Sequence, residues 1–370
     1  MPPSYFKSKY QKLKLPLFFP DATRGIVKTV DFLDIENAKI SGILVNTYHL
    51  YKDLKEEIIK KYNGLRNFIN WRGALISDSG GFQILTLAKK NIKKGIINDE
   101  GVIFFNENGE KITLTPEKSI EFQISLNTDM VIVLDDFTEP KDDYLKAKET
   151  VERTINWAKR SKEKFLSICK SKKIPPKKRP YLLGVVQGGN YLDLREECTK
   201  RLVKIGFDGL GYGGWPITEK REFNLKVAKI IAENTPNNYL LFGLGIGKPK
   251  DIIKCFDLGY RIFDCVLPTR DARHRRLYIY NAKSIKDINI RKPNFYSYYI
   301  PDKVKYSKDK RPINSACDCL LCKNYSRAYL FHLFKINEIT ALRLSTIHNL
   351  RFYSILMEKL KKELKNKIAK

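Results

Sequence analysis

The chain has 370 residues, enough for one large domain and a smaller one. Hydrophobic residues make up 43% and aromatic residues 12% of it, which indicates a folded protein and argues against intrinsic disorder. The formal net charge of +28 favours a polyanionic partner, although a lysine-rich composition also arises without one.

Three features of the sequence bear on its location. No run approaches the ~18 uninterrupted apolar residues of a membrane span, and the opening MPPSYFKSKYQKLK lacks the apolar segment of a signal peptide. The seven cysteines, three of them close together, suit a reducing compartment and a metal site better than disulfides. We therefore expect a cytoplasmic protein with no membrane span.

Eight apolar, β-rich runs recur along the chain, and most end in glycine or a polar residue. They cover residues 40–48, 73–81, 129–138, 181–189, 206–214, 239–247, 260–270 and 276–280. Helix-like segments lie between many of them, at 142–171, 190–205, 218–234 and 249–258, and one more begins at Thr115 and Pro116. Strands that alternate with helices pair in parallel. The pattern predicts an α/β fold, a (β/α)8 TIM barrel, with an open doubly wound sheet as the alternative.

Polar residues and glycines stand at the ends of these predicted strands. They are Asn46, Asp78, Asp135, Gln187, Gly213, Gly214, Gly245 and Asp264. In a barrel these ends share one face, where active sites form. One or two of them would be explained by turns, but this many predicts a binding site. The sequence has no dinucleotide-binding glycine motif followed by an acid, no Walker-type phosphate loop and no H-E-x-x-H.

Residues 261–276, RIFDCVLPTRDARHRR, place the carboxylate of Asp264 beside five arginines and a histidine. Two interpretations stay open at this point. Asp264 is either an ordinary cap of a helix or turn, or it acts on a substrate that the arginines hold.

Three cysteines, Cys317, Cys319 and Cys322, lie close together after a proline- and lysine-rich stretch. Three thiolates and a fourth donor would complete a tetrahedral zinc site. Both His332 and His348 follow, and the spacing excludes neither. Because protein ligands would fill all four positions, no water remains on the metal, and we expect a structural site.

The predicted organisation has three parts. Residues 1–282 form an N-terminal segment and the barrel, residues 283–348 an inserted small zinc-binding subdomain, and residues 349–370 a C-terminal helix that packs back on the barrel. The helix is predicted from apolar residues at helical spacing, which are Met357, Leu360, Leu364 and Ile368.

Over nearly its whole length the chain resembles the tRNA-guanine transglycosylases of the queuine type, the bacterial-type queuine tRNA-ribosyltransferases. The matching motifs are NTYHL (46–50), SDSGGFQI (77–84), VVQGG (185–189), FDGLGYGG (207–214), FDCVLPTRDAR (263–273), CDCLLCKNYSRAYLFHL (317–333) and STIHNLRFY (345–353). Several long motifs in one order are more specific than any one of them. The resemblance implies Cys317, Cys319, Cys322 and His348 as ligands of one structural zinc ion per subunit.

The activity implied by this resemblance is that of a pentosyltransferase in queuosine biosynthesis. The family exchanges guanine at the wobble position of tRNAs with G-U-N anticodons for a free 7-deazaguanine. The N-glycosidic bond breaks through an oxocarbenium-like centre, which a carboxylate can trap covalently. The resemblance gives this nucleophilic role to Asp264, general acid/base catalysis to Asp78, and contacts with tRNA phosphates to Arg270 and Arg273.

The resemblance also implies a pocket for the flipped base. Its residues are Ser79, Phe82, Asp135, Gln187, Gly214, Trp215, Glu219 and Leu244. Phe82 and Leu244 are expected to sandwich the ring, and Asp135 to accept hydrogen bonds from it. Gln187 and the Gly214 N–H are expected to serve its carbonyl. Ser79 either helps to hold the base or caps the helix that follows.

Two departures from the family pattern concern the incoming base. Bacterial members typically continue Gly-Gly with Leu-Ala-Val-Gly-Glu, whereas this chain has Trp-Pro-Ile-Thr-Glu at 215–219. Pro216 has no N–H, but the Trp215 carbonyl can still accept from an aminomethyl cation, with Glu219 behind it. Phe137 replaces a small residue beside the pocket. We expect the aminomethyl base preQ1 to be preferred, with queuine as the alternative.

Two functions of other classes stay open. One is a non-catalytic RNA-binding subunit, which need not keep the two carboxylates. The other is a relative that inserts deazapurines into DNA. The resemblance further implies tRNA as a partner and a homodimer, with the zinc region and its neighbouring helix as the contact.

Overall fold

The computed structural model describes residues 3–81, 86, 95–105, 111–218, 220 and 222–368. The strands in this part of the chain are β1 (Tyr5–Lys7), β2 (Lys12–Lys14), β3 (Leu17–Pro20), β4 (Gly42–Asn46), β5 (Ala74–Asp78), β6 (Gly95–Asn98), β7 (Gly101–Phe105), β8 (Lys111–Leu114), β9 (Met130–Ile132), β10 (Tyr181–Val186), β11 (Gly209–Tyr212), β12 (Leu240–Gly243), β13 (Ile262–Cys265), β14 (Leu277–Tyr280) and β15 (Tyr296–Tyr299).

The helices of the same residues are α1 (Phe32–Asn37), α2 (Thr47–Lys61), α3 (Leu65–Phe68), α4 (Pro116–Ser125), α5 (Tyr144–Ser171), α6 (Leu192–Ile205), α7 (Leu225–Glu233), α8 (Pro249–Asp257), α9 (Leu267–Arg273), α10 (Leu320–Asn324), α11 (Arg327–Lys335) and α12 (Ile339–Ile368). Short 3-10 helices lie at Pro176–Lys178 and Val304–Tyr306. Among these residues no helix is long and apolar enough to cross a membrane.

Eight of the strands form one sheet in the order β3-β13-β12-β11-β10-β9-β5-β4, and every pair in it is parallel. A parallel bridge between Asp21 and Leu44 joins the two edge strands. The predicted α/β barrel is therefore confirmed. Helix starts were also predictable: Thr115 caps α4 by accepting a hydrogen bond from the Lys118 N–H at 3.2 Å, with Pro116 in the first turn.

One of the eight predicted barrel strands was wrong. The run at 276–280 does not enter the barrel: β14 pairs in antiparallel fashion with β15 in a separate two-stranded sheet. The missing barrel strand is β3, which pairs in parallel with β13. Its four residues are all buried, but Pro16 precedes it and Pro20 ends it, and prolines argue against a strand inside a sheet.

Two large hydrophobic cores and a small cluster around Trp157 hold the described part of the chain together. The first fills the barrel and packs its surrounding helices. The second joins residues from the first third of the chain, such as Val27 and Trp71, to Cys319, Leu333 and Leu344 near its end. The cysteine-rich region is thus packed on the barrel through an apolar interface, and the division at residues 282 and 348 stays a prediction.

The C-terminal helix α12 begins at residue 339 and so contains His348 as well as the predicted apolar stripe. Met357 and Leu360 are buried in the barrel core, and Leu364 packs partly against it. The side chain of Ile368, the last residue predicted in this stripe, lies outside the described part of the chain.

A buried ion pair lies at the end of the barrel opposite the carboxyl ends of its strands. Arg66 and Asp129 are almost fully buried and lie 2.7 Å apart. The Asp129 oxygen that contacts Arg66, Oδ2, also accepts from the Leu75 N–H at 2.8 Å. The other oxygen of Asp129, Oδ1, accepts from the Lys9 N–H at 2.7 Å. The pair ties the N-terminal segment, α3 and two barrel strands together.

We predict that Asp129→Ala lowers the free energy of unfolding by about 3–5 kcal/mol, because it leaves the Arg66 guanidinium buried without its partner. Urea denaturation measures this loss. Asp99→Ala is the control, since the Asp99 side chain is 84% exposed where it meets Arg153, and it should cost under ~1 kcal/mol. Equal losses for the two variants would contradict the assignment.

Candidate active site and metal centre

A cavity of about 490 Å³ opens at the carboxyl ends of the barrel strands. It contains seven of the residues predicted to form the site: Asp78, Asp135, Gly214, Trp215, Leu244, Asp264 and Arg270. Parallel strands deliver their carboxyl ends to the same rim, which explains why residues from 78 to 270 meet here. Phe82 and Glu219, also predicted for this site, lie outside the described residues.

Asp264 is the third residue of β13, and its side chain is half-buried at the cavity. The Gly245 N–H donates to its Oδ1 at 2.9 Å. Gly245 has φ of 69°, a backbone conformation that glycine adopts without strain. The N-cap residue of α9 is Val266, and no side chain caps the helix within the described chain. Asp264 therefore does not cap α9, and its carboxylate faces the cavity.

Asp78 ends β5 on the same rim. The Asn46 Nδ2 donates to its Oδ2 at 3.0 Å, while the Asn46 Oδ1 accepts from the His49 N–H at 3.3 Å and caps α2. Asn46 is thus fixed by the start of a helix and in turn orients a candidate catalytic acid. The sequence marked Asn46 only as a strand end.

The three cavity carboxyls at the ends of barrel strands have raised pKa values. Burial is the main cause in each case, and it raises the pKa of Asp264 to about 8, of Asp135 to about 7 and of Asp78 to about 6. The negative charge of Asp78 further raises the pKa values of Asp264 and Asp135, whereas hydrogen bonds to the carboxylates lower them. Because the charge of Asp78 acts on the other two carboxyls, ionisation of one changes the pKa of another. Carboxyls poised in this way suit proton transfer and covalent catalysis.

Asp135 and Gln187 form a fixed pair. The Gln187 Nε2 donates to Asp135 Oδ2 at 2.5 Å, and the Gln187 Oε1 accepts from the Thr138 N–H at 3.3 Å. Gln187 is fully buried, so both ends of its amide are held by protein. A Cβ on Gly213 would lie 2.5 Å from the Gln187 Nε2, which explains the glycine at this strand end.

The remaining predicted residues are placed as follows. Ser79 is buried and its Oγ accepts from the Gly81 N–H at 3.2 Å, in keeping with its capping alternative. Arg270 is exposed at the cavity rim, and Arg273 is half-buried nearby. Within the described chain the Nη1 of Arg273 is buried and has no hydrogen-bond partner. Burial lowers its pKa, and the negative charge of Asp21 opposes this effect.

Some cavity residues escaped the sequence analysis. Asp21, Lys248 and Asp251 also line the cavity. Asp21 follows the unrecognised strand β3, so the missed strand concealed it.

A buried arginine, Arg195, was also missed, because nothing in its helical surroundings marks it. Its guanidinium donates to the carbonyls of Val186, Gly189 (2.8 Å) and Gly213 (3.0 Å). It joins the ends of β10 and β11.

The cysteines and one histidine form a compact second cluster. The ligand atoms of Cys317, Cys319, Cys322 and His348 all lie within 4.8 Å of one another. The His348 Nδ1 is 3.5 Å from the Cys319 Sγ and 3.2 Å from the Cys322 Sγ, and its Nε2 donates to the Tyr278 carbonyl at 2.8 Å. His332 is exposed and outside this cluster.

This cluster could hold a metal ion. Three thiolates and an imidazole are a tetrahedral donor set of the kind that soft or borderline metals prefer. The Nε2–H bond to a backbone carbonyl leaves Nδ1 as the nitrogen that faces the sulfurs, as second-shell contacts do in metal sites. The loop is held by Asp318, which accepts from the Arg351 guanidinium at 2.5 Å.

Comparison with known proteins gives a consistent result. Residues 4–368 match the family TGT, described as queuine tRNA-ribosyltransferase. The queuine tRNA-ribosyltransferase of Buchnera aphidicola subsp. Schizaphis graminum is 38% identical over 356 residues, which are 96% of this chain and 90% of that protein. The Haemophilus ducreyi protein of the same name is 36% identical over 353 residues, 95% of this chain and 85% of that protein. The chain belongs to the queuine tRNA-ribosyltransferase family.

Proposed function

We propose that the protein is a tRNA-guanine transglycosylase, a pentosyltransferase that exchanges guanine at the anticodon wobble position of G-U-N tRNAs for a free 7-deazaguanine. The observation that carries the proposal is the placement of Asp78 and Asp264 in one cavity at the carboxyl ends of the barrel strands. A non-catalytic RNA-binding subunit would have no need of two such acids, and this arrangement favours the enzyme.

In the proposed reaction the Asp264 carboxylate attacks C1′ of the ribose as the N-glycosidic bond breaks. The leaving guanine takes a proton from Asp78, and a ribosyl ester of Asp264 remains. The incoming base then loses a proton to Asp78 and attacks the same carbon, which releases the carboxylate. Two displacements preserve the configuration at C1′. The Gly245 N–H holds one oxygen of Asp264 in place during both steps.

The raised pKa of Asp264 has a role in this scheme. In the free enzyme the carboxyl is mostly protonated at neutral pH, since its pKa is about 8. Positive charge that develops on the ribose favours the ionised form. The carboxylate thus becomes most stable in the transition state, where its charge is needed.

Other residues of the cavity would recognise the guanine base. Asp135, held by Gln187, would accept from the N1–H and the exocyclic amine, and the Gly214 N–H would serve the carbonyl. Leu244 would cover one face of the flipped ring. At the rim, Arg270 and Arg273 would bind the phosphates on either side of the nucleotide.

The experiment that tests the function is transfer of labelled guanine. The wild-type enzyme should incorporate the label into tRNA with a G-U-N anticodon and not into duplex DNA. Incorporation into duplex DNA, or into neither nucleic acid, would overturn the proposal.

A second prediction concerns the incoming base. Trp215, Pro216 and Phe137 line the cavity, and the Trp215 carbonyl could accept from an aminomethyl cation. We predict that preQ1 is incorporated faster than queuine when the two compete for the same tRNA, because the bulky side chains leave less room for a cyclopentenediol. Mass spectrometry of the modified nucleoside measures the ratio. Faster incorporation of queuine would contradict this account of the pocket.

The pH dependence of protein stability should also reveal the raised pKa of Asp264. The pKa of this group is about 8 in the folded protein and ~3.9 in an unfolded chain. The unfolded state therefore loses this proton first, and the contribution of Asp264 to wild-type stability falls as the pH rises from about 4 to about 8. We predict that Asp264→Asn, which has no proton to lose, is more stable than wild type at pH 8 by roughly 1–3 kcal/mol, and by less at pH 5.

Urea denaturation at the two pH values measures this difference. Asp99→Asn, which replaces an exposed acid, is the control and should show little pH-dependent change. A difference between Asp264→Asn and wild type that is the same at both pH values would contradict the burial of this carboxyl.

For the Cys317–Cys319–Cys322–His348 cluster we propose one structural zinc ion per subunit. Since four protein ligands would fill a tetrahedral shell, the ion would supply folding energy and take no part in base exchange. We further propose that residues 283–348 act as the zinc-binding subdomain, that the chain works as a homodimer, and that it acts on tRNA in the cytoplasm.

A further inference from the structure

The helix that carries His348 also reaches the segments that border the cavity. We propose that α12 and Tyr278 position α9, the helix of Arg270 and Arg273, and that the metal cluster fixes them, so that the metal sets the affinity for RNA. This inference rests on the proposed function, which assigns the two arginines to RNA phosphates.

The first link is Asn349, which is fully buried and uses its whole side chain. Its Nδ2 donates to the Pro268 carbonyl at 3.0 Å and to the Arg276 carbonyl at 3.0 Å. Its Oδ1 accepts from the Tyr278 N–H at 3.0 Å. Pro268 is in the first turn of α9 and Arg276 follows its end. A single amide group therefore ties both ends of α9 to α12.

The second link is the hydroxyl of Tyr278, which donates to the Asp271 Oδ2 at 2.5 Å. Asp271 lies in α9 between the two arginines and is 2% exposed. Its other oxygen accepts from the Arg276 guanidinium at 2.7 Å. Without the tyrosine hydroxyl this buried carboxylate oxygen loses its partner, which is costly. The contact therefore constrains the rotation of α9 about its own axis.

The third link joins Tyr278 to the cluster. The His348 Nε2 donates to the Tyr278 carbonyl at 2.8 Å while its Nδ1 faces the sulfurs of Cys319 and its neighbours. Farther along α12, the Tyr353 hydroxyl donates to the Gly247 carbonyl at 2.7 Å, in the loop after β12. An ordered His348 thus holds Tyr278 by its backbone, and Tyr278 holds α9 by its side chain.

These three links predict that RNA binding and the catalytic rate respond differently to a change at Tyr278. The acids Asp78 and Asp264 belong to strands of the barrel, and their hydrogen bonds with Asn46 and Gly245 do not involve Tyr278. Loosening Tyr278 should therefore move the phosphate-binding arginines and leave the reacting carboxylates in place. RNA affinity should fall while the rate at saturating RNA is kept.

Tyr278→Phe tests the inference, because it removes one hydroxyl and keeps the ring. Tyr280→Phe is the matched control: this buried tyrosine is on the same strand, but its hydroxyl donates to the Phe352 carbonyl at 2.8 Å. We expect tRNA to bind Tyr278→Phe about 10-fold more weakly than wild type. The kcat at saturating tRNA, the KM for the free base and the metal content should stay close to the wild-type values, and Tyr280→Phe should bind tRNA normally.

Amide hydrogen exchange gives a readout that needs neither RNA nor catalysis. Residues 267–273 should exchange faster in Tyr278→Phe and in chelator-treated wild type than in untreated wild type or Tyr280→Phe. Equal tRNA affinity and equal exchange of α9 in the two variants would overturn the inference. If wild type binds tRNA but transfers no guanine, the proposed function fails alone, and the comparison of the variants still decides the positioning role.

Discussion

Replacing Asp264 with asparagine should abolish guanine exchange, with a loss in kcat of at least ~10⁴-fold. The amide is neutral and cannot form a stable ester with the ribose, so the first displacement fails. The substitution is nearly isosteric, and its oxygen can still accept from the Gly245 N–H. Binding of tRNA should therefore persist, and so should the fold. Steady-state transfer of labelled guanine and filter binding of tRNA measure the two effects.

Asp251→Asn is the matched control, since Asp251 lines the same cavity but has no part in the proposed displacements. It should retain an RNA adduct that survives denaturation, whereas Asp264→Asn should form none. A persistent adduct in Asp264→Asn would show that another residue is the nucleophile. Loss of tRNA binding together with activity would indicate instead that Asp264 acts in RNA recognition.

Loss of a cluster ligand should have the largest effect on stability. Cys319 is 3% exposed and belongs to the core that joins the end of the chain to residues 22–75. We predict that Cys319→Ala destabilises the folded protein by at least ~5 kcal/mol, because metal binding at such a site contributes directly to folding. Metal analysis should find less than one ion per chain, and thermal unfolding should begin at a much lower temperature.

The matched control is Cys169→Ala, which removes another buried cysteine, on α5, away from the cluster. It should keep the metal and lose only ~1 kcal/mol or so from the small cavity. If Cys319→Ala and Cys169→Ala have the same stability and metal content, the cysteines near 320 are ordinary core residues and the structural metal site must be abandoned.

The barrel was predictable because its signal is repeated and local. Each apolar run followed by a helical pattern gives the same information, so the fold class survives an error in one run. The error itself has a physical origin. Leu277–Tyr280 is as apolar as a barrel strand because α12 packs on it, while Leu17–Pro20 lies between prolines that conceal it as a strand. Burial alone does not tell which sheet a strand joins.

The candidate site was predictable where residues lie at strand ends and less so where they act across the barrel. Asp78, Asp135 and Asp264 follow directly from the rule that strand ends share a rim. Arg195 and Asn349 make their contacts with backbone carbonyls far away in sequence, and no local pattern reveals such contacts.

The candidate metal-binding cluster shows the same limit. The spacing of the cysteines predicted a site, but both His332 and His348 were at plausible distances along the chain. His348 meets the sulfurs because α12 packs against the cysteine loop, whereas His332 points to solvent. The choice depends on tertiary packing, and only the motif resemblance anticipated it.

In the proposed reaction Asp78 and Asp264 act on one nucleotide, with Asp264 as the covalent partner. Mass spectrometry of the enzyme denatured during turnover on a labelled anticodon stem-loop tests it most directly. After digestion with trypsin and nuclease, the peptide 262–270 should carry the ribose, with the added mass on Asp264, and the adduct should disappear when excess free base is supplied. An adduct on any other residue, or guanine exchange with no adduct at all, would contradict the claim.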